Sequence, residues 1–424
     1  VGAEWDTLST SCITLAVGNN GNMGNAGNGP DGLANMNFLA DCDNLDPDTI
    51  PGDASVYLYD ASPVILKVEG TDTLASWSIF ADNFATPNGF KPIESDPAPG
   101  TFSGSNYEAT YSGKFVTADS SLTLEKAVYF PTDADSCNFV VQVMCIYATD
   151  GTAQNGLAIG EAWDWDIPSD TAVRNSAGSD PFENVVWLRG GEWNEPLGDS
   201  LECQDNDARF GGAGLIGYED GAGSDFSGTP ANFYTALNSD FVLPAGGFIP
   251  GELYENMQIN SGISAVPSST IEDQHMVMTV FKDYNLAAGD TLTIYMAMGV
   301  VENGTDADMV AAIEDARAWY TDNAPLSCRP SAGGCCVGET GDVNGSGGSP
   351  TLTDLTILVN RLFVTFDWGA TACPAAANTN GDAACALTLT DLTLLVNKLF
   401  VTFEATAQCT DFDQSNCEPP VGLK

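Results

Sequence analysis

Between residues 341 and 403 the chain contains an internal repeat, with an offset of 37 residues from Asp354 to Asp391. Each copy is a loop rich in oxygen-bearing side chains, followed by a run with helical apolar spacing. Leu355, Leu358, Val359, Leu362 and Phe363 fall at i, i+3, i+4, i+7 and i+8, and Leu392, Leu395, Val396, Leu399 and Phe400 repeat them one for one. That spacing predicts two amphipathic helices. Neither could bury its stripe alone, so the two are expected to pack on each other.

The loops suit a hard cation. Calcium takes six to eight oxygens, commonly from alternate residues of a tight loop closed by a bidentate carboxylate. The expected first site is Asp342, Asn344, Ser346, Gly348 and Asp354, with Gly347 and Gly348 allowing the sharp turn. The expected second is Asn378, Asn380, Asp382 and Asp391. On these residues the segment resembles the type I dockerin family, whose pattern is Asp-x-Asn-x-Asp-Gly and then a helix opening with Asp-Leu, given twice. The resemblance covers about 65 residues. It departs from the family in loop length: Asp342 to Asp354 spans 13 residues and Asn378 to Asp391 spans 14, against the usual 12 of such loops. Ser346 and Asn378 replace carboxylates, which lowers ligand charge. The resemblance implies Ca2+ as cofactor and a β-sandwich partner of the cohesin kind, met through the helix starts at Leu352, Thr353, Leu389 and Thr390. Two other readings stand beside it: a disulfide-held helical pair without metal, and a tail that caps its own chain.

Charge bounds the partners. Asp and Glu number 58 against 13 Lys and Arg, a net charge of −45. Such a surface repels nucleic acid and anionic lipid and attracts divalent cations; an acidic, salt-adapted proteome is the other reading of it. No apolar run reaches the roughly 18 residues of a membrane span. The chain opens at Val1 without a leader-like segment, so an exported protein whose signal peptide has been removed is expected. Twelve Cys, none in a CxxC pair, and one His leave no zinc pattern and read as disulfides of an extracellular or cell-surface protein. Cys137 and Cys145 read as one strand, whose ends would lie about 26 Å apart at about 3.3 Å per residue. They are expected to pair with other cysteines, since a bridge needs Cα atoms within about 7 Å.

The rest of the chain reads as mainly β. Strand signals recur at 56–59, 64–68, 75–80, 108–116, 121–130, 138–147, 156–163, 185–189, 213–218, 232–243, 275–281 and 291–299, with turn residues between them. Asp60 to Pro63 is expected to be a hairpin turn. A helix is expected from Thr305, with Met309, Ile313, Ala316 and Tyr320 on one face. The expected organisation is a β-sandwich body over 1–325, either one large sandwich or two meeting near 95–104. A Cys/Gly-rich hinge would follow at 326–340, then an all-α calcium-binding module over 341–424. The body resembles those of secreted bacterial proteins with such tails, on the segments 159–170 and 287–295.

Glu161, Asp164, Asp166 and Asp170 are the densest acidic cluster of the body, a candidate second metal site. A glycosidase carboxylate pair and a solvated acidic edge are its other readings. With His275 as the single His, and no Gly-x-Ser-x-Gly, His-Glu-x-x-His or phosphate loop, no catalytic set is recognisable and no enzyme is expected. The expected role is an extracellular structural protein, a self-assembling surface or filament subunit that joins its own copies through the tail or through an exchanged strand. The alternative is a carbohydrate-binding or carbohydrate-active module, or an adhesin, tethered by the tail. In that case Trp163, Trp165, Trp187 and Trp193 would line an exposed glycan groove.

Overall fold

The computed structural model describes residues 5–9, 13–24, 35–38, 58–69, 72–79, 88–93, 107–132, 138–167, 175–190, 209–219, 232–242, 245, 247–258, 272–301, 304–323, 340–343, 350–364, 373–382, 387–402 and 405–407. The chain divides into two compact units, Val1–Pro325 and Leu326–Lys424.

The first unit is mainly β, because its β-branched and aromatic runs alternate between two buried faces. One sheet holds β1 (Trp5–Ser9), β2 (Ile13–Gly18), β3 (Met23–Gly24), β4 (Asn35–Phe38), β5 (Leu58–Glu69), β6 (Asp72–Trp77), β11 (Gln154–Trp165), β15 (Asn232–Leu237) and β16 (Gln274–Leu286). Its order is β1-β2-β3-β5-β11-β16-β15, with β4 on β2 and β6 on β5. The other sheet holds β7 (Lys91–Pro92), β8 (Tyr107–Val116), β9 (Leu122–Pro131), β10 (Phe139–Ala148), β12 (Ser176–Asp180), β13 (Val185–Gly190), β14 (Arg209–Glu219) and β17 (Thr291–Val301). Its order is β12-β13-β14-β17-β10-β9-β8-β7. Every ladder between these strands is antiparallel.

The inner faces share one core. Ile65, Ile159, Trp163 and Met278 of the first sheet meet Leu124, Val128, Met144, Leu215 and Met296 of the second. The outer faces are covered too, which explains why β10, β11 and β17 are buried nearly end to end. On the first sheet, Val64, Ala162, Tyr234 and Val277 pack under Leu253 and Met257 of α2 (Pro250–Gln258). The short helix α1 (Asn238–Phe241) precedes it. On the second sheet, α3 (Asp306–Asn323) buries Met309, Ile313, Ala316, Trp319 and Tyr320. It comes close because β14 offers no side chain beneath it: a Cβ on Gly214 would stand 2.3 Å from Ile313 Cγ2. Thr305 starts α3 as its sequence predicts, its backbone N–H and hydroxyl both donating to Asp308 Oδ2 at 2.7 Å. That hydroxyl holds the Asp308 carboxyl below its ordinary pKa.

Two local expectations fail. Asp60–Pro63 is no turn; it lies inside β5, paired with Glu161–Asp164 of β11. Proline is tolerated there because β6 pairs with β5 only from Val64 onward. The strand expected over 232–243 stops at Leu237, where Asn238 opens α1 and its side chain turns to the carboxylates described below. The tract 95–104 lies outside the described residues, as does Cys137. Cys145 and Cys373, the two described cysteines, are disulfide-bonded.

In the second unit, α4 (Leu352–Val359) and α6 (Leu389–Val396) pack on each other, with the short α5 (Pro374–Ala377) between them in sequence. Val343, Leu358, Ala377 and Leu395 form the buried centre. The apolar stripes are only half used. Leu358 and Leu395 are buried and Leu355, Leu362, Leu392 and Leu399 partly so, but Phe363 and Phe400 are exposed. After Val359 and Val396 the helices widen into π-helical turns, Asn360–Val364 and Asn397–Val401, which moves the last stripe residues off the packed face. Among the described residues, no helix is long and apolar enough to cross a membrane.

Candidate functional site

Alternation along β11 splits the acidic cluster. Glu161 falls on the inner face with Ile159 and Trp163, and Asp164 on the outer face with Ala162. Across the sheet Glu161 meets Lys126 of β9, Nζ to Oε1 at 2.8 Å, with both side chains almost fully buried. Lys126 Nζ also lies 3.4 Å from the carbonyl of Gly21. Burial pushes the Lys126 ammonium below its ordinary pKa, and the Glu161 carboxylate acts against that shift. Glu161 is therefore a core ion-pair partner rather than a member of the acidic cluster. Asp170 lies outside the described residues.

On the outer face Asp164 stands opposite Asp60 of β5 and opposite His275 of β16. Directly opposed residues share a face, so the three make a polar row, all buried. Asp166 follows the end of β11, and Asp273 precedes β16. One carboxylate oxygen from each of Asp164, Asp166 and Asp273 lies within 4.8 Å of the other two. Asn238 fastens the group: its Nδ2 donates to Asp164 Oδ1 at 2.9 Å and to Asp273 Oδ1 at 2.7 Å. Its Oδ1 lies 2.7 Å from His275 Nδ1. Since the amide nitrogen faces carboxylates, the amide oxygen must be the acceptor, and His275 carries its proton on Nδ1.

Burial pushes the His275 imidazole down to about 3, while in an unfolded chain it returns to about 6.5. Between those values the unfolded chain binds the extra proton, so stability falls as pH drops through that window. Asp164 and Asp273 face the imidazole through the shared Asn238 amide. Between pH 6.5 and 3 the wild type is expected to lose the equivalent of about 2–4 kcal/mol more, by urea midpoint, than His275→Gln. Parallel curves for the two proteins would refute this assignment.

In the tail, Asp354 and Asp391 occupy the same place in each repeat. Asp354 Oδ2 accepts from the N–H and hydroxyl of Thr351, both at 2.7 Å, and Asp391 Oδ2 from those of Thr388, both at 2.9 Å. Each pair is a capping box, and each Asp is wholly buried. The second loop closes on the same carboxylate, with Asn380 N–H donating to Asp391 Oδ1 at 3.1 Å. The side-chain oxygens of Asn378 and Asn380 both accept from the N–H of Asp382, at 3.2 and 2.8 Å. Two of the four expected ligand oxygens are thus gathered on the peptide of the third, Asp382. Of the first loop, Asp342 is half-buried and Asn344, Ser346 and Gly348 lie outside the described residues.

The helix starts stand out in solvent. Leu352 is 64% and Leu389 62% exposed, and Thr353 and Thr390 beside them are exposed. Phe363 and Phe400 are exposed to 53% and 54%, and Val364 and Val401 to 62% and 61%.

No family model matches the chain. No curated protein matches it either. Among solved structures it is similar to a family GH92 inverting mannosidase from Bacteroides thetaiotaomicron, at 9% identity and a TM-score of 0.26, covering 61% of this chain and 23% of that one. It is also similar to a heparan sulfate lyase from Pedobacter heparinus, at 9% identity and a TM-score of 0.26, covering 71% and 37%. The chain spans well under half the length of either, and likeness at these scores carries no argument.

The glycan groove expected of the tryptophans is not formed by those described. Trp163 and Trp165 are fully buried and Trp187 nearly so, because β11 and β13 turn them into packed faces; Trp193 lies outside the described residues. Asp273 and Asn238 went unnoticed in the sequence: each lies far from Asp164 along the chain, and neither sits in a motif.

Proposed function

We propose that this chain is an extracellular structural subunit. Its C-terminal unit is an all-α, dockerin-like module, stabilised by Ca2+ in the two loops, that joins one copy to the two-sheet body of the next. The observation that carries this reading is the matched exposure of Leu352, Phe363 and Val364 with Leu389, Phe400 and Val401. Exposed leucines and phenylalanines repeated at equal exposure are costly in water unless they meet a partner. Asn378, Asn380, Asp382 and Asp391 support the calcium role, since their loop is already closed on a buried carboxylate. A head-to-tail contact that does not close into a ring produces a filament.

Negative-stain electron microscopy with calcium and then with a chelator tests the reading. Filaments are expected in calcium and their loss on chelation. The double variant Leu352→Asp/Leu389→Asp is expected to raise the concentration needed for assembly at least about 30-fold, the equivalent of about 2 kcal/mol at an apolar hot spot. Monomers at high concentration in calcium would sink self-assembly.

A further inference from the structure

We propose that Phe182 is a knob for self-association, and that its ring seats in the cavity beside Lys67 on the body of a second copy. This contact joins body to body and does not rest on the reading of the tail.

The knob is held for presentation. Phe182 is 91% exposed, at the tip of the hairpin formed by β12 and β13. A single exposed apolar residue is ordinary, but this one stands on a fastened turn. Asp180 Oδ1 accepts from the backbone N–H of Phe182 at 2.9 Å and from that of Glu183 at 3.1 Å. Asn184 takes the left-handed φ of 56° that closes the turn, a conformation asparagine tolerates. Its carbonyl accepts from the N–H of Leu215 in β14 at 3.2 Å. Arg317 of α3 donates to the carbonyl of Glu183 and lies 3.7 Å from its carboxylate. A ring carried on a turn tied to both β14 and α3 loses little freedom when it docks.

The hole lies in the same unit. A cavity of about 240 Å³ lies between β5 and β6 on one side and the turn joining β8 to β9 on the other. Ile65, Leu66, Leu74, Leu122 and Leu157 give it apolar walls. An apolar cavity of about 150 Å³ takes benzene, so a phenyl ring fits. Lys67 also lines it, with Nζ 3.1 Å from Asp119 Oδ2, so the charges of that pair cancel. Lys91, which is exposed, donates to the carbonyl of Ala118 in the cavity wall and adds a positive charge there.

Charge and position favour a second copy as the occupant. Acidic residues outnumber basic ones by 58 to 13, so most surfaces of two copies repel. Here a lysine beside the hole matches Asp180 and Glu183 beside the knob. The β12–β13 hairpin and the β8–β9 turn stand at opposite margins of the second sheet. Five strand spacings of about 4.8 Å set them roughly 24 Å apart, so no copy fills its own cavity. The contact is between unlike surfaces and every copy carries both of them.

The test uses the full chain carrying Leu352→Asp and Leu389→Asp, which silences the proposed tail joint. A photoreactive benzophenone analogue of phenylalanine replaces Phe182, and isotope-labelled copies are mixed with unlabelled ones. Illumination is expected to link position 182 of one copy to segment 65–67, 73–76 or 117–122 of another, the mixed isotopes showing that two copies are joined. In sedimentation velocity, Phe182→Ser is expected to weaken self-association at least about tenfold, as loss of an anchoring aromatic does, and Lys91→Glu to weaken it by less. Both side chains are exposed, so neither change disturbs the core. No cross-link between copies, or cross-links confined to other segments, would overturn the proposal. So would a Phe182→Ser chain that self-associates as tightly as its parent. A tail-intact chain that forms no filaments bears only on the tail.

Discussion

Lys126→Ala is expected to destabilise the Val1–Pro325 unit by about 3–5 kcal/mol, because it strands the Glu161 carboxylate between two sheets. Lys126 is 0% and Glu161 1% exposed, and the pair bridges β9 and β11 at 2.8 Å. Neither half can reach water without opening the core. Removing both is a different matter. An apolar replacement of similar volume, Lys126→Met with Glu161→Leu, should recover most of the loss, since two charges no longer need solvation in an apolar medium. Chemical denaturation of the wild type, the single variant and the double variant measures this directly. A single variant within 1 kcal/mol of wild type would mean that water or a relaxed side chain satisfies Glu161, and the pair would lose its structural importance.

Gly160→Ala should cost about 3 kcal/mol for a steric reason. The register between β11 and β16 shifts on the Ile159 side of Gly160. At that irregularity the two backbones come so close that a Cβ on Gly160 would sit 2.2 Å from the carbonyl oxygen of Met278. The obstacle is main chain, so no side-chain rotation relieves it, and the strands must separate. The central ladder of the first sheet would loosen next to Trp163. A urea titration should show a lower midpoint at unchanged slope. Gly251→Ala in α2, where nothing lies within 4 Å of the added atom, is the matching control. Equal midpoints for the two variants would rule out the close approach.

The strands of the body could be read from the sequence because their signals are local. Alternation and turn residues located nine of the longer strands to within a few residues, and the Thr305 cap located α3. Failures came where a distant neighbour decides. Pro63 looked like a turn residue because a sequence does not reveal that β6 has stopped pairing at Val64. Asn238 ended β15 because its amide serves two carboxylates, one at the end of β11 and one before β16. The acidic cluster was half visible for the same reason. Asp164 and Asp166 are neighbours in the chain, whereas Asp273 joins them only through the β11–β16 ladder. Glu161, equally close in sequence, points the other way and finds Lys126 across the core. Exposure was the hardest property to read. Aromatic residues that suggested a glycan platform turned out to be core, and the last residues of the tail's apolar stripes turned out to be surface.

Among the described residues, the second sheet ends at β7, which is two residues long. Pro92 has no amide hydrogen to offer an incoming strand, and Lys91 places a charge beside it, a pairing that blunts strand edges generally. Where β7 covers β8, at Phe115 and Val116, an incoming strand from a neighbouring copy therefore meets a missing donor and a charge. A lysine and a proline guard that corner of the sheet against edge-to-edge association.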